Sequence, residues 1–165
     1  MELNRRALLG SCGLLALSTL VGGGAARAVG GRFEVALSDA QWRQRLTPAQ
    51  YAVLRQAATE RPGSSPLLNE HRKGIFACAG CALPLFSSAT KFDSGTGWPS
   101  FWQPLANAVR TSADTELGYE RTEVHCRRCG GHLGHVFDDG PRPTGKRYCM
   151  DGVALNFAPA KGGKA

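Results

Sequence analysis

Cysteine and histidine carry most of the chemistry available to this chain of 165 residues. Four of its six cysteines fall into two C-x-x-C pairs, Cys78-Ala79-Gly80-Cys81 and Cys126-Arg127-Arg128-Cys129. Together the pairs supply four thiolates, the ligand number of a closed tetrahedral zinc site. One structural Zn2+ per chain would then tie together two distant stretches of sequence. A closed site has no open coordination position, so it predicts a stabilising role rather than a catalytic one. The same spacing also allows disulfides, favoured in an oxidising compartment, or a thioredoxin-like dithiol.

Cys12 lies in an N-terminal apolar stretch, which leaves Cys149 as the one thiol outside the pairs. A leftover cysteine is a reactive thiol, an intermolecular bridge, or an inert small hydrophobe. Its neighbours argue for reactivity. Lys146 and Arg147 precede it, and Arg147, two residues away on a strand, shares its face. A nearby guanidinium favours thiolate over thiol. Upstream runs His132-Leu133-Gly134-His135, followed by Asp138-Asp139. Histidines three apart with carboxylates close by can supply a proton donor and an orienting group. They can equally be fold-stabilising or metal ligands, and Asp138-Asp139 before Gly140-Pro141 is a good turn in its own right.

The elements that must hold these groups change in kind near Gly74. Before it, Ser38 with Gln41 predicts a capped helix over Asp39 to Leu46. Thr47, Pro48 and Gln50 predict a second helix start. Pro62-Gly63-Ser64-Ser65-Pro66 breaks the chain into a loop. After Gly74 the segments are short, β-rich and punctuated by Gly, Pro, Asp and Ser. Strands are expected over Gly74 to Ala79, Ala108 to Ser112, Tyr119 to Arg127, Leu133 to Phe137, Lys146 to Met150 and Gly152 to Ala158.

The amino terminus reads as an export signal. Arg5-Arg6 precede an apolar run from Ala7 to Val21, and Ala26-Arg27-Ala28 offers a small-x-small cleavage pattern. The run is about 15 residues, short of the roughly 20 that span a bilayer, so no stable membrane anchor is expected. The arginine pair resembles a twin-arginine signal. Cleavage after Ala28 would leave one domain, residues 29–165, and the expected destination is export to the periplasm. The whole chain carries 20 Lys and Arg against 13 Asp and Glu, and cleavage would leave 17 against 12. The excess is spread thinly, so nucleic acid is not an expected partner.

Several longer strings carry a family resemblance. KFDSG (Lys91 to Gly95), GTGWPSFW (Gly95 to Trp102), CRRCGGHLGHVFDDGP (Cys126 to Pro141) and TGKRYCM (Thr144 to Met150) resemble the peptide methionine-(R)-sulfoxide reductases of the B class. LTPAQYAVLRQAATERP and CAGCALPLF support the match, which runs from about Trp42 to Phe157. The resemblance implies a mainly β fold, two antiparallel sheets with short N-terminal helices and a four-cysteine zinc site at Cys78, Cys81, Cys126 and Cys129. It implies reduction of oxidised protein methionine by Cys149 through a sulfenic acid. It further implies His132, His135 and Asp139 as catalytic-site groups, Arg147 as support for the thiolate, and Trp98 as the wall against the substrate methyl.

Two positions depart from the family pattern. Thr96 stands where many members carry a resolving cysteine, which points to regeneration by an external thioredoxin-like dithiol. Asp151 stands where the family usually has asparagine, a substrate-side position. An anion there would raise the Cys149 pKa, whereas a protonated carboxyl would mimic the amide.

Overall fold

The computed structural model describes residues 33–160. The expected export signal, Cys12 and the last five residues lie outside the described part. Among the described residues, no helix is long and apolar enough to cross a membrane.

Helix α1 spans Asp39–Arg45 and α2 spans Pro48–Gln56. Both open with reciprocal capping boxes. Ser38 and Gln41 satisfy each other's backbone N–H groups, as do Thr47 and Gln50. Ala57, in the left-handed conformation, ends α2 well before Pro62. The buried faces carry Trp42, Tyr51, Val53 and Leu54.

The rest of the domain is antiparallel sheet. Strands β1 (Gly74–Cys78), β2 (Pro84–Ser87) and β9 (Leu155–Pro159) form a three-stranded sheet in the order β2-β1-β9. Strands β3 (Lys91–Phe92), β4 (Ser100–Phe101), β5 (Val109–Asp114), β6 (Arg121–Cys126), β7 (His132–Phe137) and β8 (Arg147–Met150) form a six-stranded sheet in the order β3-β4-β8-β7-β6-β5. The fold is therefore mainly β, with two antiparallel sheets and two short helices.

An aromatic core joins the sheets. Phe86 stacks on Phe101 at 4.4 Å between centroids, and Phe76 meets Phe101 edge-on at 5.0 Å. All three are fully buried. Such a ring contributes its apolar burial plus about 0.5–1.5 kcal/mol per favourable ring pair. Met150, also fully buried, places the next residue of β8 in this core. Alternation along the strand then turns Cys149 to the opposite face.

Three strands were not expected from the sequence. β2 is four residues long, and β3 and β4 have two residues each. These are too short to develop a recognisable alternation. Their pairing is set by tertiary contact, with Ser100 opposite Cys149 and Phe101 opposite Tyr148. The expected strand from Gly152 begins instead with a 3-10 turn at Gly152–Ala154.

Candidate functional sites

The two C-x-x-C pairs converge at one end of the fold. The first begins on the last residue of β1, and the second begins on the last residue of β6 and runs into the β6–β7 connection. Their four sulfurs lie within 4.8 Å of one another. Cys78 Sγ is 3.7 Å from Cys129 Sγ, and Cys81 Sγ is 3.4 Å from Cys126 Sγ. A disulfide needs about 2.05 Å, whereas sulfurs about 2.3 Å from a central tetrahedral ion stand about 3.8 Å apart. All four residues are buried, and the set can hold a metal ion. Arg128 donates to the carbonyl of Cys81 and Arg55 to that of Cys129, lacing the two turns to each other and to α2. Arg127 pairs with Glu34 and donates to the carbonyl of Asn107.

The fifth described cysteine occupies a different setting. Cys149 sits on β8, between β4 and β7, with Ser100 on one side and His135 directly opposite on the other. Cross-strand partners share a face, so thiol and imidazole are neighbours by register. They line a cavity of about 120 Å3 with Trp98, Phe137, Arg121 and Asp151.

Gly134 makes this approach possible. It holds φ at 140°, and a Cβ there would stand 2.1 Å from the carbonyl oxygen of Cys149. The β6–β7 register also shifts there, since Val124 pairs with Gly134 but His125 with His132, leaving Leu133 of β7 as an extra residue. The rings of His132 and His135 consequently meet at 5.4 Å, although a separation of three would send them to opposite faces of a regular strand.

The two histidines have different surroundings. His135 faces the cavity and bonds through Nε2 to Asp114 Oδ2 at 2.8 Å. Burial lowers its pKa, with Asp114 opposing. His132 is buried, with Nδ1 2.6 Å from Glu123 Oε1. Its Nε2 stands 3.7 Å from Asp151 Oδ2, close enough for charge attraction but too far for a hydrogen bond. Burial resists protonation of His132, but the Asp151 and Glu123 carboxylates outweigh it and push the imidazole up to about 9.

Arg147 lies near the thiol and is gripped by Asp139 through two 2.8 Å bonds, with its guanidinium 4.4 Å from the Phe137 ring centre. Asp139 is exposed and does not line the cavity, so it acts on the thiol's surroundings through Arg147. Lys146 turns away to Asp138. Arg147 does lower the thiol pKa, in the direction expected from sequence, but it does not prevail. Burial pushes Cys149 upward, against Thr96, Arg147 and Ser100, while Asp151 adds to the rise.

Thr96 Oγ1 lies 3.7 Å from Cys149 Sγ and 2.9 Å from Ser94 Oγ, which is 2.7 Å from Ser100 Oγ. The thiol therefore borders a chain of hydroxyls. This chain was not anticipated from sequence, nor were Asp114, Arg121, Glu123 and Glu60. Asp114 and Glu123 lie 21 and nine residues from their histidines, with no local motif to link them.

Taken together, the fold and these two sites define a small β protein with a closed four-thiol cluster and a separate single-thiol pocket. The SelR domain family matches residues 46–159. The chain is 56% identical over 131 residues to the peptide methionine sulfoxide reductase MsrB of Leifsonia xyli, covering 78% of this chain and 94% of that protein. It is 54% identical over 123 residues to the MsrB of Agrobacterium fabrum, covering 74% and 91% respectively. A chloroplastic relative from Arabidopsis thaliana, peptide methionine sulfoxide reductase B1, is 53% identical over 122 residues, covering 73% of this chain and 60% of that protein. The chain belongs to the MsrB family of peptide methionine sulfoxide reductases.

Proposed function

We propose that this reductase acts on the (R)-epimer of methionine sulfoxide in proteins, with Cys149 as nucleophile. The observation that carries this reading is the register of β7 and β8, which sets Cys149 opposite His135 within a cavity walled by Trp98. The indole face and Phe137 suit the substrate's methyl and methylene groups. The sulfoxide oxygen then turns toward the polar side, where His135 and Arg121 stand.

The Cys149 thiolate attacks the sulfoxide sulfur as a proton reaches its oxygen. The oxygen passes to the cysteine, methionine leaves, and Cys149 becomes a sulfenic acid. His135 is the pocket-facing group suited to orienting oxygen and handling that proton, and Asp114 fixes its ring. His132 supports it from behind. Arg147, held by Asp139, favours the thiolate. Asp151 borders the substrate on the remaining side.

A thioredoxin-like dithiol completes the cycle. One of its thiols attacks the sulfenic sulfur, forms a mixed disulfide and releases water. Its second thiol resolves that disulfide, leaving the reductant oxidised and Cys149 as a thiol. The group beside Cys149 is the hydroxyl of Thr96, and the other four described cysteines face one another. Both facts favour an external reductant over an internal disulfide.

Zinc is the ion whose coordination number and preference for sulfur suit the four-thiol cluster, where Cys78, Cys81, Cys126 and Cys129 would hold it. It would stabilise the fold and take no part in the chemistry. Residues 1–28 act as a cleaved export signal of twin-arginine type, placing residues 29–165 in the periplasm. That route carries folded proteins, so the cluster would be filled before meeting an oxidant.

The test is turnover of the separate epimers of dabsylated methionine sulfoxide with dithiothreitol. Consumption of the (R)-epimer alone, abolished in Cys149→Ser, is the expected result. Turnover of the (S)-epimer, or activity surviving in Cys149→Ser, would overturn the assignment.

A further inference from the structure

The segment after α2 leaves the helix at Ala57 and crosses to the edge of the Cys149 cavity, where Thr59 joins its lining. Thr59 also lines a larger cavity of about 680 Å3 between α2 and the Gly152–Phe157 stretch. The segment is thus a partition between the two spaces. Its next residue, Glu60, is bonded through backbone and side chain together.

The Glu60 carbonyl accepts from the indole Nε1–H of Trp98 at 3.1 Å. Its N–H donates to Asp151 Oδ1 at 2.9 Å. Its two carboxylate oxygens accept from the backbone N–H groups of Gly152 at 2.5 Å and Val153 at 3.0 Å. The seat is closely fitted, since a Cβ on Gly152 would stand 1.9 Å from Ser65 Oγ and 3.3 Å from Glu60 Oε1. Three residues on, Gly63 N–H donates to Gly97 O at 2.7 Å, tying the same segment to the turn that carries Trp98.

We infer that Glu60 is a positioning residue that sets the width of the sulfoxide pocket, its carboxylate anchoring one residue that simultaneously holds Trp98 and Asp151. The inference rests on the assignment of this pocket to the sulfoxide. Trp98 and Asp151 belong to different loops, and Glu60 bonds directly to both. Without the carboxylate, nothing else in the Glu60 side chain fastens the residue to the Gly152 turn. The indole and the Asp151 carboxylate then lose their common reference. A displaced pocket wall weakens the hold on substrate even when the reacting groups are intact, which reads as a raised KM.

The test uses 15N-labelled full chain, in which the three tryptophans give three indole signals and Trp98→Phe identifies the one of interest. In Glu60→Gln, which keeps the shape but replaces one acceptor with a donor, the Trp98 indole signal should shift and exchange faster with solvent. KM for the (R)-sulfoxide should rise about tenfold, with kcat within about twofold. Glu60→Ala should give the larger change in the same direction, and Glu60→Gln decides the matter if Glu60→Ala does not fold. Folded variants with lowered Tm but unchanged indole signal and KM would reduce Glu60 to a structural staple and overturn the inference. A shifted indole in a chain whose wild type turns over no sulfoxide would leave the positioning intact and sink the functional reading instead.

Discussion

The two ends of the molecule use the same side chain in opposite ways. At one end four thiols are buried, face one another and have no room for a substrate. At the other a single thiol is half-buried at a cavity wall, beside a histidine and a chain of hydroxyls. Cysteine identity does not distinguish them. The number of sulfur neighbours and the presence of an opening do. A group of thiolates needs a cation to share, whereas a lone thiolate needs partners that release it when substrate arrives.

The largest effects should come from exchanging one end for the other. Cys126→Ser removes one of the four ligands, and metal binding in such sites is folding free energy, on the order of 10 kcal/mol. We expect loss of bound metal and of cooperative unfolding, measured by metal analysis and thermal denaturation. Cys149→Ser should keep its metal and Tm while losing turnover. A Cys126→Ser protein with unchanged Tm would break the contrast.

Next in size is Glu123→Gln, which strips buried His132 of its closest carboxylate. Breaking one side of a buried pair costs about 3–5 kcal/mol, to be read from urea denaturation. Burial opposes ionisation of Glu123, but His125 and His132 overcome it and hold the carboxyl below its ordinary range. Its contribution is therefore present above the unfolded value near 4.5 and fades as pH falls through the lower folded one. His132 is raised, so its contribution is full below about 6.5 and lost as pH rises through about 9. Wild type should lose stability on both flanks, and Glu123→Gln should flatten the acidic one. An unaltered acid limb would show that the pair contributes little.

Asp151→Asn should act on chemistry more than on stability. Removing the anion lowers the Cys149 pKa, because Asp151 pushes that thiol upward. Alkylation of Cys149 by iodoacetamide should then reach half-maximal rate at lower pH. The His132 pKa should fall as well, since Asp151 helps to raise it. An unchanged alkylation profile would remove Asp151 from the thiol's electrostatics.

The smallest difference separates two adjacent cations. Arg147→Ala should slow Cys149 alkylation near neutral pH, whereas Lys146→Ala should leave it unchanged because Lys146 turns to Asp138. Equal slowing by both would mean that general positive charge, not the Arg147 contact, sustains the thiolate.

Much of this arrangement was legible in the sequence because it rests on local spacing. The C-x-x-C pairs, both capping boxes and the run from His132 to Phe137 are contiguous patterns, and each emerges as an element or a site. Strand β4 was not legible, since its two residues owe their conformation to β8. Asp114 and Glu123 were missed for the same reason. Their importance comes from where β5 and β6 lie beside β7, and nothing in their immediate neighbours records it. The strength of Cys149 burial was hidden too. A neighbouring arginine can be read from the chain, but the desolvation that outweighs it arises only when the sheets close.

The buried position of Met150 has a consequence for the protein's own survival. The sequence contains only two methionines, Met1 and Met150. Met150 is sealed under the aromatic core. A reductase that meets peroxide or hypochlorite alongside its clients therefore offers almost no thioether of its own to the oxidant. Its scaffold is spared the thioether damage it removes from others.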